Sequence, residues 1–280
     1  MALGEAVNGW MKRFLIAISF AAMAACASAA TAPTPNETIE APPPAEARDA
    51  FTFAARDAAA LTDPLTLWGT NYYTPVYTAA AEGSDGALPL LDVHNAPISP
   101  PLSRVNWCNV ALQGTAMIRA ADGSATAYVI ADWNGAEQTN CDDRLGTLSD
   151  SIKLRSRQSR YKAVLHPYGC GVQDMPLIPF RTIAVDRRQI PYRSVLYIPA
   201  LRGLSFTLEG QTFTHDGYVF AGDRGGAIVG DHIDFFSGNQ QRSPFPDVIA
   251  SNATKTFEAF RVDAADPAAI ALTAMHAPPC

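Results

Sequence analysis

Residues 213–238, FTHDGYVFAGDRGGAIVGDHIDFFSG, decide how the rest of the chain is read. Two apolar runs, 217–221 and 233–236, have the length and content of short strands. Between them lies a glycine-punctuated turn, Gly222-Asp223-Arg224-Gly225-Gly226, and after it Ala227-Ile228-Val229-Gly230 and Asp231-His232-Ile233-Asp234. Glycine admits backbone conformations closed to other residues, so such a segment wraps tightly and brings Asp223 within reach of Asp234. Carboxyls that share a cleft push one pKa up, which is what a general acid needs. Asp and Gly also make ordinary turns, and Asp216, Asp223, Asp231 and Asp234 all fall where strands meet turns. On the pattern alone the two readings stand level, with Asp231 assigned to a turn.

Outward from this stretch, residues 65–262 read as mostly β. Leu65, Leu67, Trp68, Tyr72 and Tyr73 form an aromatic strand that runs past Pro75 to Tyr77, and a polar, proline-rich excursion follows over 82–104. Segments 111–119 and 126–131 are strand-like and flank an Asp122-Gly123 hairpin turn; 142–160 is a charged surface insertion. Runs 181–186 and 194–199 are β-type, and 244–250 and 256–262 close the domain. Twenty-one prolines and nineteen glycines agree with many short elements joined by turns, which indicates a barrel or a sandwich. A chain of 280 residues, 48% hydrophobic, is large enough for a substantial core in one domain. The net charge of −6 argues against nucleic acid as a partner, since that would need a basic face. No internal repeat is present.

The N-terminus reads as an export signal, residues 1–29. Met11-Lys12-Arg13 is a basic start, which makes Met11 the expected initiator, and 14–25 is an apolar run too short to span a bilayer. Two cleavage readings compete. Ala27-Ser28-Ala29 fits cleavage after small residues, whereas Met23-Ala24-Ala25-Cys26 resembles a lipobox that would leave Cys26 as a lipidated N-terminus in the outer membrane. Both place the mature chain outside the cytoplasm, in the periplasm. Residues 30–60, rich in Pro, Ala, Thr and Glu, form a disordered tether, with a short helix expected over 45–61 from the spacing of Phe51, Ala54, Ala55 and Leu61. Four cysteines remain: Cys108, Cys141, Cys170 and Cys280. In an oxidising compartment they read as two disulfides, and of three connectivities Cys108–Cys141 with Cys170–Cys280 is favoured. No pair has zinc-ligand spacing, and no metal or other cofactor is expected.

The runs 181–203, RTIAVDRRQIPYRSVLYIPALRG, and 215–236, HDGYVFAGDRGGAIVGDHIDFF, resemble the 3D domain, named for three aspartates. They are also similar to the C-terminal part of the membrane-bound lytic murein transglycosylase A family. The first aspartate of that pattern, after a hydrophobic strand, matches Asp186. The second opens a D-x-G-G-A-I-x-G loop and matches Asp223; the third, eleven positions later, matches Asp234. Residues 69–77, GTNYYTPVY, look like the family's tyrosine-rich strand, and Trp107-Cys108 and 111–115 resemble exported 3D proteins. The resemblance covers about 65–262, with its specific core at 181–238, and leaves 263–280 as a C-terminal tail. It departs from the pattern at Arg224, where a small hydroxylated residue is usual, and at Val229, where a basic one is usual.

The resemblance implies a six-stranded double-psi β-barrel, carrying loop insertions, that works as a monomer. It implies cleavage of the β-1,4 bond between N-acetylmuramic acid and N-acetylglucosamine in peptidoglycan glycan strands, giving 1,6-anhydro ends. Asp234, backed by Phe235-Phe236, is the candidate acid/base, with Asp223 as the neighbour that positions it or raises its pKa. Asp186 is assigned to the framework or the groove wall. Tyr72, Tyr73 and Tyr77 are candidates to stack on sugar rings, although aromatic strand residues more often pack in a core. Arg224 beside Asp223 would lower that carboxyl if the two paired. His232, Asp234, His215 and Asp216 together make a candidate mixed metal site, but a surface histidine beside a turn is the preferred reading of His232. A serine triad has no support, because no nucleophile elbow occurs. The alternative to an enzyme is an expansin-like module that binds peptidoglycan without cutting it.

Overall fold

The computed structural model describes residues 49–81, 83–145, 149–225, 228–277 and 279–280. The expected leader, Cys26 and the tether up to residue 48 lie outside the described residues. Six strands close a barrel: β1 (Leu65–Tyr72), β6 (Thr182–Ala184), β7 (Val195–Tyr197), β10 (Tyr218–Asp223), β11 (His232–Phe236) and β12 (Phe257–Arg261). Their order around the barrel is β1-β11-β6-β10-β7-β12. The mainly β, six-stranded barrel expected from the sequence is therefore present. Strands β1 and β11 pair in parallel, as do β6 and β10, while β11 pairs antiparallel with β6. Alternate residues point inward. Leu67, Ile183, Val219, Ala221, Ile233 and Phe235 fill the interior together with Phe180 and Phe245.

The segment between β1 and β6, expected as loop insertions, carries regular structure of its own. A second sheet, ordered β2-β3-β4-β5, comprises β2 (Val76–Thr78), β3 (Thr115–Arg119), β4 (Ala125–Asp132) and β5 (Arg160–Val164). It packs with helix α1 (Arg104–Gln113) around Leu90, Leu102, Trp107, Val110, Ile118 and Tyr161. The strand expected over 111–119 begins only at Thr115, because Ala111–Gln113 finish α1. Ser103 accepts from the Asn106 amide at 3.3 Å at one end, and Gly114, at φ 82°, ends the helix at the other. The insertion at 142–160 carries two short helices, α2 (Asp142–Leu145) and α3 (Asp150–Arg157). The β3–β4 turn forms where Asp122-Gly123 predicted it.

Three further differences have local causes. Residues 49–61 run extended, with one 3-10 turn at Ala58–Ala60, where a helix was expected. Their anchor is the buried guanidinium of Arg181, which binds Asp49 and reaches Asp216 at 2.5 and 2.7 Å. Phe51 lies against the same cation at 4.1 Å and is itself buried. The extended segment thus adds Asp49 to a cation that Asp216 already pairs from within the domain. Segment 244–250 forms no strand; Phe245 and Ile249 instead enter the barrel core. The tail carries helix α4 (Pro267–Met275), capped by Asp266 and laid over Tyr218 and Phe220 on the outside of the barrel.

A hairpin, β8 (Ser205–Leu208) with β9 (Gln211–Thr214), completes the elements. Cys108–Cys141 and Cys170–Cys280 are both bridged, as favoured from the sequence. Among the described residues no helix is long and apolar enough to cross a membrane.

Candidate active site

The three strands β11, β6 and β10 lie side by side, and their registers meet at one residue. Asp234 on β11 pairs with Ala184 on β6, and Asp223 on β10 pairs with the same Ala184. Residues in register across a sheet point to the same face, so both carboxyls rise on either side of a methyl group. That arrangement depends on a bulge. Val219 and Ala221 face the barrel interior, and unbroken alternation would send Asp223 there too. One extra residue, Gly222, between Ala221 and Asp223 shifts the register and turns Asp223 outward. The bulge is packed closely: a Cβ built on Gly171 would meet the Gly222 carbonyl oxygen at 2.2 Å.

Strand β1 supplies the rest of the face. Leu67 points into the barrel, so Trp68, Thr70 and Tyr72 point out, in register with His232, Asp234 and Phe236. The Thr70 hydroxyl donates to Asp234 Oδ1 at 2.7 Å, and the Tyr72 hydroxyl donates to Asp223 Oδ2 at 2.9 Å. The Arg224 backbone amide donates to Asp223 Oδ1 at 2.8 Å. Asp223 is 3% exposed, whereas Asp234 keeps part of its surface open to solvent.

Burial pushes the Asp223 carboxyl up to about 7, although the Arg224 amide, the Tyr72 hydroxyl and the Arg224 charge all pull it down. Asp234 is also raised to about 7, first by burial, with the Asp223 charge adding to the rise and Thr70 opposing it. Tyr72 is held well above the usual phenol range by its own burial and by both carboxylates. A face of this kind holds a carboxyl that can give and take a proton near neutrality.

The other candidates are dispersed. Asp186 accepts from Arg188 at 2.7 Å and from the Gly230 amide at 3.0 Å, and these bonds hold it far below the ordinary carboxylate range. It fastens the β10–β11 connection at Gly230, whose φ of 65° suits glycine. Tyr72 is committed to Asp223, while Tyr73 lies beside Tyr77, which packs on the second sheet's core. Among the ion pairs of the described residues none joins the Arg224 side chain to Asp223. His215 and Asp216 belong to the Arg181 cluster: His215 Nε2 donates to the Phe180 carbonyl at 2.9 Å. Among the described residues no group of three His, Cys, Asp or Glu side chains is placed to hold a metal.

His232 corrects the expectation of a surface histidine. It is 7% exposed and stacks flat on Trp68 at 3.6 Å, with Nε2 2.9 Å from Thr70 Oγ1. Thr70 is the site residue that sequence reasoning missed. It sits inside the quoted 69–77 run but gains meaning only from a strand more than 160 residues later.

Residues 181–243 match the family model of the 3D domain, and Asp186, Asp223 and Asp234 lie inside that segment, whereas the donors Thr70 and Tyr72 lie outside it. No curated protein matches the chain. Among solved structures, MltA of E. coli with bound chitohexaose is 18% identical, covers 71% of this chain and 71% of its own, and superposes with a TM-score of 0.46. The membrane-bound lytic murein transglycosylase of Agrobacterium tumefaciens is 16% identical over 72% of this chain and 77% of its own, at 0.42. MltA of Neisseria gonorrhoeae is 14% identical over 70% and 72%, also at 0.42.

Proposed function

We propose that this chain is an exported enzyme of the lytic transglycosylase type, cutting peptidoglycan glycan strands between N-acetylmuramic acid and N-acetylglucosamine. The observation that carries the reading is the carboxyl pair astride Ala184, on a face that holds both acids up to about 7, within the 3D segment. Asp234, the more open of the two, gives its proton to the glycosidic oxygen as the C1–O bond breaks. The resulting carboxylate then takes the proton of the muramoyl C6 hydroxyl while the C6 oxygen bonds to C1. One 1,6-anhydro end and one free hydroxyl result, and no water is consumed. One carboxyl serves as both acid and base, so the paired nucleophile of ordinary glycosidases is not needed. Asp223 raises Asp234 by its charge, and the barrel is read as the double-psi form. Digestion of purified sacculi tests this: soluble muropeptides should carry anhydro ends, one water lighter than reducing ends. Asp234→Asn should lower the rate by at least roughly 100-fold while the chain still folds.

The second reading is a peptidoglycan-binding module without cleavage, favoured by the charge of Arg224 next to Asp223. It is selected if wild-type protein binds sacculi and releases nothing.

A further inference from the structure

We infer that His232, acting through the Thr70 hydroxyl, is a positioning residue that fixes which oxygen of Asp234 carries the transferable proton. The inference rests on the proposed acid/base role of Asp234 and extends it to groups outside the three-aspartate pattern. Thr70 Oγ1 lies 2.7 Å from Asp234 Oδ1 and 2.9 Å from His232 Nε2. A threonine hydroxyl has a single proton. When Asp234 is ionised that proton goes to Oδ1, so the second contact requires a ring proton: Nε2–H donates to Oγ1. The hydroxyl then cannot rotate away without losing both partners. Oδ1 stays engaged as an acceptor, and the proton that Asp234 takes up goes to Oδ2.

The histidine is suited to hold this direction. Its ring lies flat on Trp68, 3.6 Å away with 8° between the planes, and is almost wholly buried. Trp68 pairs with His232 and Thr70 with Asp234 two positions apart along β1 and β11, so the four side chains form two neighbouring cross-strand pairs on one face. Around Asp234 the other titratable groups are Asp223 across β6 and Tyr72 on β1, whose hydroxyl donates to Asp223. Neither offers Asp234 a second donor at Oδ1. The Thr70 donation favours the ionised acid, so whatever weakens it raises the Asp234 titration.

The first measurement needs no variant. Nitrogen NMR shifts of His232 in the full chain, above the Asp234 titration, should report a proton on Nε2; an Nε2 without one would overturn the inference. The second compares His232→Phe, which keeps the flat stack on Trp68 but removes the donor, with His232→Gln, which restores an N–H at similar reach. Carbon NMR of the Asp234 carboxyl should show it titrating higher in the Phe variant, by up to about one pH unit, and near wild type in the Gln variant. On glycan strands kcat should fall about tenfold in the Phe variant with KM nearly unchanged, and recover with Gln. Wild-type titration and kcat in the Phe variant would overturn the inference. A wild-type chain without turnover, in which His232→Phe still moves the Asp234 titration, would sink the enzymatic reading while supporting the hydrogen-bond chain argued here.

Discussion

Replacing Asp223 with Asn removes a charge from the most buried part of the site, and its effect on stability has a definite sign. Burial carries this carboxyl from the ordinary range near 4 up to about 7. Between those pH values the native chain holds a proton that the unfolded chain has released. Stability is therefore complete below about pH 4 and falls as pH rises through about 7. A rise of this size corresponds to about 4 kcal/mol for ionising the group in place, at about 1.4 kcal/mol per tenfold change. Asp234 shares the site, so part of that cost belongs to the pair, and about 2–4 kcal/mol is expected for Asp223 alone. The amide fits the site: its oxygen still accepts from the Arg224 amide, and its NH₂ faces the Tyr72 hydroxyl, which can accept. Asp223→Asn should thus match wild type at pH 4 and exceed it by that amount at pH 8, in urea unfolding with disulfides intact. With the Asp223 charge gone Asp234 titrates lower, and because the acid step needs its proton, the alkaline fall in activity should move to lower pH. A variant no more stable than wild type at pH 8 would refute the claim that Asp223 is raised by burial.

Asp186→Ala should cost about 1–3 kcal/mol and make the 224–230 connection easier to cleave in limited proteolysis, since the Gly230 amide loses its acceptor. The wild-type bond is strongest above about pH 4 and weakens as acid protonates Asp186 below that, because its native value is depressed. Cys108→Ser with Cys141→Ser, which opens a loop of 33 residues, should lower unfolding free energy by about 2–4 kcal/mol. Asp49→Ala leaves Arg181 with Asp216 as its remaining carboxylate partner and should cost about 1–3 kcal/mol, read as a lower Tm and faster proteolysis at 49–61.

Much of this was legible because strand periodicity and a local aspartate pattern lie within one stretch. Alternation in Ile233-Asp234-Phe235 places one carboxyl opposite two core side chains, and that needs only the sequence and a period of two. Helices α1 and α4 carried readable signals, Ser103 with Gly114 and Asp266 with Pro267, but small apolar residues around them passed for strand or tail. The extended 49–61 segment was hidden for another reason. Its helical spacing of apolar residues is real, yet the fold is decided by Arg181, a buried cation 132 residues later that takes Asp49 as partner.

The site itself divides along the same line. That Asp223 and Asp234 converge follows from no spacing rule, because eleven residues across a glycine turn suit many geometries. Convergence requires both to register with Ala184, and one of those registers exists only through the bulge at Gly222. The donors are more remote still. Thr70 and Tyr72 reach the carboxyls because β1 runs parallel to β11, and a parallel pair cannot be closed by a local turn. A long intervening chain must therefore separate the two strands, and here that chain carries the second sheet and its helix followed by β6, β7 and β10 of the barrel itself. The distance in sequence that hid the part played by Thr70 is thus a direct consequence of the strand pairing that lets it reach Asp234.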